Sequence, residues 1–267
     1  MNIRFDRFPN GGKKAVTLSF DDGREYDRRL VQLFNRYGLK GTFHLNSGFF
    51  GRESYIEAGE VAELFHGHEV SIHTTHHPFL EQSPQEQIIY QIVQDRQALE
   101  TLVRYPIRGM SYPFGTYNGA VMEQLRSLGI EYARTVSSHG SFHMPENWLS
   151  WHPTCHHKDM LTYADQFISI EHRHSRMSLL YVWGHSYEFE GDQNWELVDR
   201  FAEKISGRDD IWYATNAEIV AYMQALKALR FTVDGSIVHN PTASDVWISV
   251  NDEPAQVKAG SMLELHR

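Results

Sequence analysis

Seven short apolar runs divide this chain: Ala15–Phe20, Gly41–Asn46, Glu69–His73, Ile107–Tyr112, Ile130–Arg134, Leu179–Trp183 and Ile211–Ala214. Between them lie longer stretches in which apolar residues recur at helical spacing. Strands joined by helix-length connections pair in parallel, so the alternation predicts an α/β fold.

Each connection carries its own signal. Leu30, Leu33, Phe34 and Tyr37 share a helical face, and Gly38 stops the helix. Val61, Leu64 and Phe65 mark a short helix ending near Gly67. Ser83-Pro84-Gln85-Glu86 reads as a capping box with proline at the first helical position, opening a helix to about Arg104. Its apolar face is expected to hold Ile89, Ile92, Val93, Leu99, Leu102 and Val103. Further helices are expected over Asn118 to Leu128, Tyr163 to His172, the segment of Trp195, Val198, Phe201 and Ile205, and Ala217 to Leu229. Ser137 to Lys158 holds five histidines but no period, so it is expected to be a long loop of the kind that often carries function. From Phe231 onward, short β-like pieces alternate with Asn-Pro, Asp-Gly and Ala-Gly turns. Residues 1–230 thus form the α/β unit and 231–267 a small β-rich appendage.

A chain of 267 residues can bury a sizeable core. Its net charge of −9 supplies no basic face, which argues against nucleic acid and anionic membrane as partners. A single cysteine, Cys155, leaves no internal disulfide framework and fits a reducing compartment. Residues 1–7 lack an apolar signal core and no 18-residue apolar run occurs, so a soluble, cytoplasmic chain is expected. Oligomeric state is not legible. The sixteen histidines point toward metal or proton chemistry.

The polar residues fall at strand ends. Asp21 and Asp22 end the first strand, His73 the third, Tyr112 to Gly115 the fourth, Arg134 the fifth and His185 the sixth. In a parallel barrel those ends gather on one face, where the active sites of such folds lie. A lone Asp-Asp-Gly would ordinarily cap a helix. Here His73-Thr74-Thr75-His76-His77-Pro78 adds two imidazoles at a spacing of three or four. Two histidines with a carboxylate make a common first shell for zinc and other divalent ions.

Ser19-Phe20-Asp21-Asp22-Gly23 resembles the first motif of the polysaccharide deacetylases, the NodB-homology enzymes of carbohydrate esterase family four. His73-Thr74-Thr75-His76-His77-Pro78 is similar to their second motif, and the strand into Gly184-His185 to their last. The resemblance covers roughly Lys14 to Leu229. It implies a distorted seven-stranded (β/α) barrel with a small C-terminal β appendage. It also implies a divalent metal, usually Zn2+, held by Asp22, His73 and His77, with Asp21 as general base and His185 as general acid. The implied activity is removal of acetyl groups from an acetylated sugar or a small acetylated substrate.

The third motif of that family usually carries an arginine where this chain has Ser111, in Ser111-Tyr112-Pro113-Phe114-Gly115. Arg134, ending the neighbouring strand, is expected to supply the missing guanidinium. Tyr112, Pro113 and Phe114 are expected to bind substrate, with the Phe114 N–H facing the oxyanion. Trp151 and Tyr187 are expected as sugar-stacking or pocket-wall residues. The fourth motif has no clear counterpart, so the partner of His185 is unassigned. Gly184-His185-Ser186-Tyr187-Glu188 starts like a nucleophile elbow but has Glu188 in place of the closing glycine, which argues against a serine hydrolase.

Overall fold

The computed structural model describes residues 1–171 and 176–265. His172, where one expected helix ends, and the last two residues of the tail lie outside them. The centre of the fold is β1, Lys14–Asp22. It pairs in parallel with β2, Thr42–Leu45, on one side and with β7, Ser178–Gly184, on the other. Beyond β2 come β3 (Glu69–Ile72), β4 (Gly109–Ser111) and β5 (Tyr132–Arg134), and beyond β7 lies β6 (Cys155–His156). The short β8, Ile211–Tyr213, pairs with Lys14 to Val16 of β1.

All seven expected strands are present, and β6 joins them from within the expected loop. The segment from Trp151 to His156 curls the sheet toward closure. Trp151 exchanges backbone hydrogen bonds with Ala133 and Thr135 beside β5, while Cys155 and His156 pair with Val182 and Trp183 of β7.

The residues of β1 explain its place. Val16, Leu18 and Phe20 enter the main apolar cluster. The alternate residues bond polar groups: Thr17 Oγ1 donates to Asn216 Oδ1 at 2.8 Å, and Ser19 Oγ lies 2.8 Å from His44 Nε2. A strand covered on both faces, with side chains alternating between them, gives this near-continuous burial. The odd-numbered face leads to Asp21.

Besides the expected short helix, Val61–Leu64, the helices between the strands are α1 (Asp27–Tyr37), α2 (Gln85–Val103), α3 (Gly119–Ser127), α4 (Met160–Ile168), α5 (Ser186–Gly191), α6 (Glu196–Ile205) and α7 (Asn216–Lys227). Gly38 ends α1 at φ 66°, a conformation glycine adopts without Cβ strain. Two expectations for α2 are corrected. Ser83 does not cap it, because its hydroxyl donates to Phe79 O at 2.9 Å. Its buried face is Ile88, Gln91, Ile92, Asp95 and Leu99 rather than one holding Ile89 and Val93. The helix is rotated to bring Asp95 inward.

The tail contributes β9 (Arg230–Phe231), β10 (Ile237–His239), β11 (Val246–Val250), β12 (Glu253–Val257) and β13 (Met262–Glu264). The N-terminal strand Ile3–Arg4 pairs antiparallel with β11, Ile3 opposite Val250, so residues before the barrel share the tail's sheet. Val238, Val246, Ile248, Val257 and Leu265 bury against Phe8, Leu179, Tyr181 and the face of α7 that carries Ile219 and Tyr222. The appendage therefore shares a core with the barrel.

Candidate metal and acid–base site

Two adjacent carboxylates end β1 in different surroundings. Asp21 is still in the pleat and buried at 2% exposure. Asp22 has φ 83° and Gly23 φ 66°, so the chain leaves the strand between the two acids. Aspartate tolerates this left-handed region better than most residues. The turn is held by Ile56, whose N–H donates to Gly23 O at 3.1 Å.

Asp21 accepts a hydrogen bond from Ser111 Oγ at 2.9 Å on one oxygen and from Arg134 Nη2 on the other. Arg134 is wholly buried, with its guanidinium 4.8 Å from the centre of the Trp183 ring. Burial alone would push the Asp21 carboxyl up. The Arg134 charge, with His73, His44 and His185 behind it, instead holds it far below the usual carboxylate range.

Asp22 faces two imidazoles. His73 Nε2 lies 3.6 Å and His77 Nε2 3.9 Å from Asp22 Oδ1. The three donor atoms all lie within 4.8 Å of one another. His73 Nδ1 is 2.9 Å from the Ser111 carbonyl oxygen and 2.7 Å from Ser111 Oγ, so it carries the ring proton and leaves the Nε2 lone pair free. His77 is brought round by a turn in which Thr74 (φ 68°) and His77 (φ 55°) are both left-handed, and its N–H donates to Thr74 Oγ1 at 3.0 Å. Burial, then the neighbouring His73, pushes the His77 imidazole down to about 4. Two ring nitrogens and a carboxylate converging without hydrogen bonds among themselves are the donor set a divalent cation takes. His76 turns away: it is exposed, and its N–H donates to Gln91 Oε1 at 2.8 Å. The spacing of four is thus the one that meets Asp22.

His185 follows directly on β7. Burial pulls its pKa down, but Glu188, Asp21 and Asp22 outweigh this and raise it. Residues 9–133 match the polysaccharide deacetylase family. Over that stretch, just under half of its length, the chain is similar to that family.

Among curated relatives, a peptidoglycan-N-acetylglucosamine deacetylase of Bacillus cereus is 26% identical over 125 residues, 46% of this chain and 56% of the relative. The chain therefore spans about half the length of that protein. Among solved structures, a putative polysaccharide deacetylase from Mycobacterium smegmatis superposes with a TM-score of 0.63 at 15% identity, covering 82% of this chain and 93% of the other. A family 4 carbohydrate esterase pseudoenzyme from Bacillus anthracis gives a TM-score of 0.53 at 16% identity, with 80% and 66% covered. Likeness at these identities speaks for the fold, a distorted (β/α) barrel.

The remaining site residues fall into two groups. Phe114 sits at the rim with φ 58°, its ring stacked 3.8 Å from that of Phe79 and edge-on to His77 at 4.4 Å. Pro113 precedes it and is buried. Tyr187 is half-buried, its ring centre 5.1 Å from that of His185. Tyr112 and Trp151 lie inside. Tyr112 donates to Leu149 O at 2.7 Å. Trp151 is 1% exposed and enclosed by Tyr132, Trp148 and Tyr181, so the expectation that it stacks on a sugar is corrected. Neither side chain is open to a ligand; both brace the wall behind Arg134. Ser186 is also buried, its hydroxyl donating to Asp27 Oδ1 at 2.5 Å, and is not placed as a nucleophile.

Three residues escaped the sequence. Ser111 does more than replace an arginine: one side chain touches both Asp21 and His73. Asp95, on α2, accepts the backbone N–H of Ser47 at 2.7 Å and of His73 at 3.0 Å. Burial pushes its carboxyl up to about 7 against the pull of those hydrogen bonds. Glu188 Oε2 lies 3.5 Å from His185 Nδ1, one helical turn on. An acid at a core position of α2, and one three residues after His185, were the available signals.

Proposed function

We propose that this chain is a metal-dependent hydrolase that removes N-acetyl groups from an acetylated sugar or oligosaccharide. The observation that carries the reading is the division of labour between adjacent acids: Asp21 is paired with Arg134, while Asp22 faces His73 and His77. Asp22, His73 and His77 would hold the divalent cation, and this donor set favours zinc. When bound, the cation supplies Lewis-acid polarisation of the acyl oxygen and raises the acidity of water.

The chain's own groups do the rest. Asp21 takes the proton of the attacking water. Arg134 keeps it ionised and fixes its orientation, at a cost in basicity, so it suits a water whose acidity is already raised. The Phe114 N–H, at the rim beside His77, donates to the developing oxyanion. His185 protonates the departing nitrogen, and its raised pKa keeps the donor form populated closer to neutral pH. Glu188 orients that ring from its Nδ1 side. Tyr187 and the Phe79–Phe114 pair offer apolar faces for a sugar ring.

The same groups would serve an O-acetyl ester or another non-peptide amide. A silent carbohydrate binder is the rival that the Bacillus anthracis pseudoenzyme brings to mind. The presence here of Asp21, Asp22, His73, His77 and His185 together favours the enzyme, because binding alone needs neither base nor acid. A cytoplasmic location, expected from the sequence, forms part of the same proposal; among the described residues no helix is long and apolar enough to cross a membrane.

The test is acetate release from N-acetylglucosamine oligomers together with metal analysis, in wild type and Asp21→Asn. Bound zinc with release that collapses in the variant is expected. Carefully prepared protein without stoichiometric metal would overturn the reading.

A further inference from the structure

A second set of donors gathers around Glu188, beside His185. His156 ends β6, His157 follows it, and Glu188 projects from the first turn of α5. Glu188 Oε2 is 3.0 Å from His156 Nε2 and 3.4 Å from His157 Nδ1, and all three donor atoms fall within 4.8 Å of one another. Ligands about 2.0–2.1 Å from a tetrahedral zinc stand about 3.4 Å apart. The two carboxylate–imidazole distances of the cluster, 3.0 and 3.4 Å, lie near that spacing.

The His157 ring also lacks other partners. His157 is 0% exposed, and both its ring nitrogens are without a hydrogen bond. A buried imidazole unsatisfied on both sides is costly and calls for a partner. The fold makes room for this arrangement: a Cβ on Gly184 would lie 2.0 Å from His157 Nδ1, so a bare backbone at the end of β7 lets the ring approach. His156 Nδ1 stands 3.4 Å from the Lys158 N–H, beyond the usual range for such bonds, and that contact does not fix the ring's tautomer. Among the described residues, the ion-pair partners of Glu188 are three imidazoles, those of His156, His157 and His185, with no lysine or arginine.

We propose that His156, His157 and Glu188 form a second divalent-cation site, of the two-histidine, one-carboxylate type that suits zinc. The fourth position is open to water. Because Glu188 also faces His185, the cation would hold that carboxylate in place beside the proposed acid without itself lying at Asp22. The inference concerns donors distinct from Asp22, His73 and His77.

The experiment is zinc stoichiometry after metal depletion and titration with Zn2+ alone, for wild type, Asp22→Asn, His156→Ala and Glu188→Gln, each checked for native circular dichroism. Two zinc ions in wild type, and one in each variant, are expected. One zinc lost in His156→Ala and Glu188→Gln but kept in Asp22→Asn would support this site and overturn the proposed function. One zinc lost in Asp22→Asn and kept in the other two would overturn this site alone. No zinc in wild type would overturn both.

Discussion

Arg134 and Asp21, 113 residues apart, meet as a buried ion pair between the ends of β5 and β1. Neither partner has water to fall back on, so removing one leaves the other charged in the interior. Arg134→Met should lower stability by about 3–5 kcal/mol in urea denaturation. The double variant Arg134→Met, Asp21→Asn should recover part of that loss. Under the proposed function the single variant also loses most acetate release, since Asp21 is neither oriented nor held ionised. Unchanged turnover would remove Arg134 from the mechanism.

Asp95 touches the site only through the backbone, by accepting the N–H groups of Ser47 and His73. Asp95→Asn keeps the size but turns one acceptor into a donor facing an N–H. The His73 backbone should shift, and zinc binding at Asp22, His73 and His77 should weaken about 10–100-fold, as other supporting-shell changes do. Competition with a chelator measures it.

His68 provides a pH signature far from the chemistry. Its Nδ1 accepts from Gly41 N–H at 3.0 Å and its Nε2 lies 3.0 Å from Asn35 Oδ1, a pattern that needs the neutral ring. Burial, then Lys40 and His66, pushes its pKa down to about 4. Because the folded value is below the ordinary 6.5, the unfolded chain binds the proton first. The stabilisation is full above about pH 6.5 and is lost as pH falls toward 4. Thermal midpoints of wild type and His68→Gln should therefore converge between pH 6.5 and 4, with wild type falling faster. Parallel curves would count against this assignment.

Gly184→Ala would place a methyl 2.0 Å from His157 Nδ1, against a ring that has Phe189 on its other side at 4.2 Å. Neither can yield freely. The variant should lose about 1–3 kcal/mol or more of stability, as overpacked cores do. A thermal midpoint within a degree of wild type would show that the ring moves easily.

The sequence made the barrel legible where a local signal existed. Each long strand was bounded by a turn residue and followed by a helical face, and β1 ended in charge. Asp22, His73 and His77 were readable because strand ends share a rim. What escaped depended on non-local bonds. The two residues of β6 have no period of their own and are strand only because Val182 and Trp183 pair with them. The rotation of α2 is set by Asp95 reaching Ser47 and His73, which no apolar count can show. Trp151 looked like a surface aromatic because its place between Tyr132 and Tyr181 is made by strands on either side of the chain's long loop.

The pairing of Ile3–Arg4 with β11 also bears on how the molecule is made. Ile3 leaves the ribosome roughly 250 residues before its partner Val250, an interval on the order of tens of seconds at cellular synthesis rates. Through that time the first strand waits with an open edge, the kind of surface that recruits wrong neighbours. Arg4 lies in it and Arg7 follows it, and in the finished fold they bond Asp252 and Ser249, both made more than 240 residues later. Charged residues at such an edge are the kind that disfavour premature pairing.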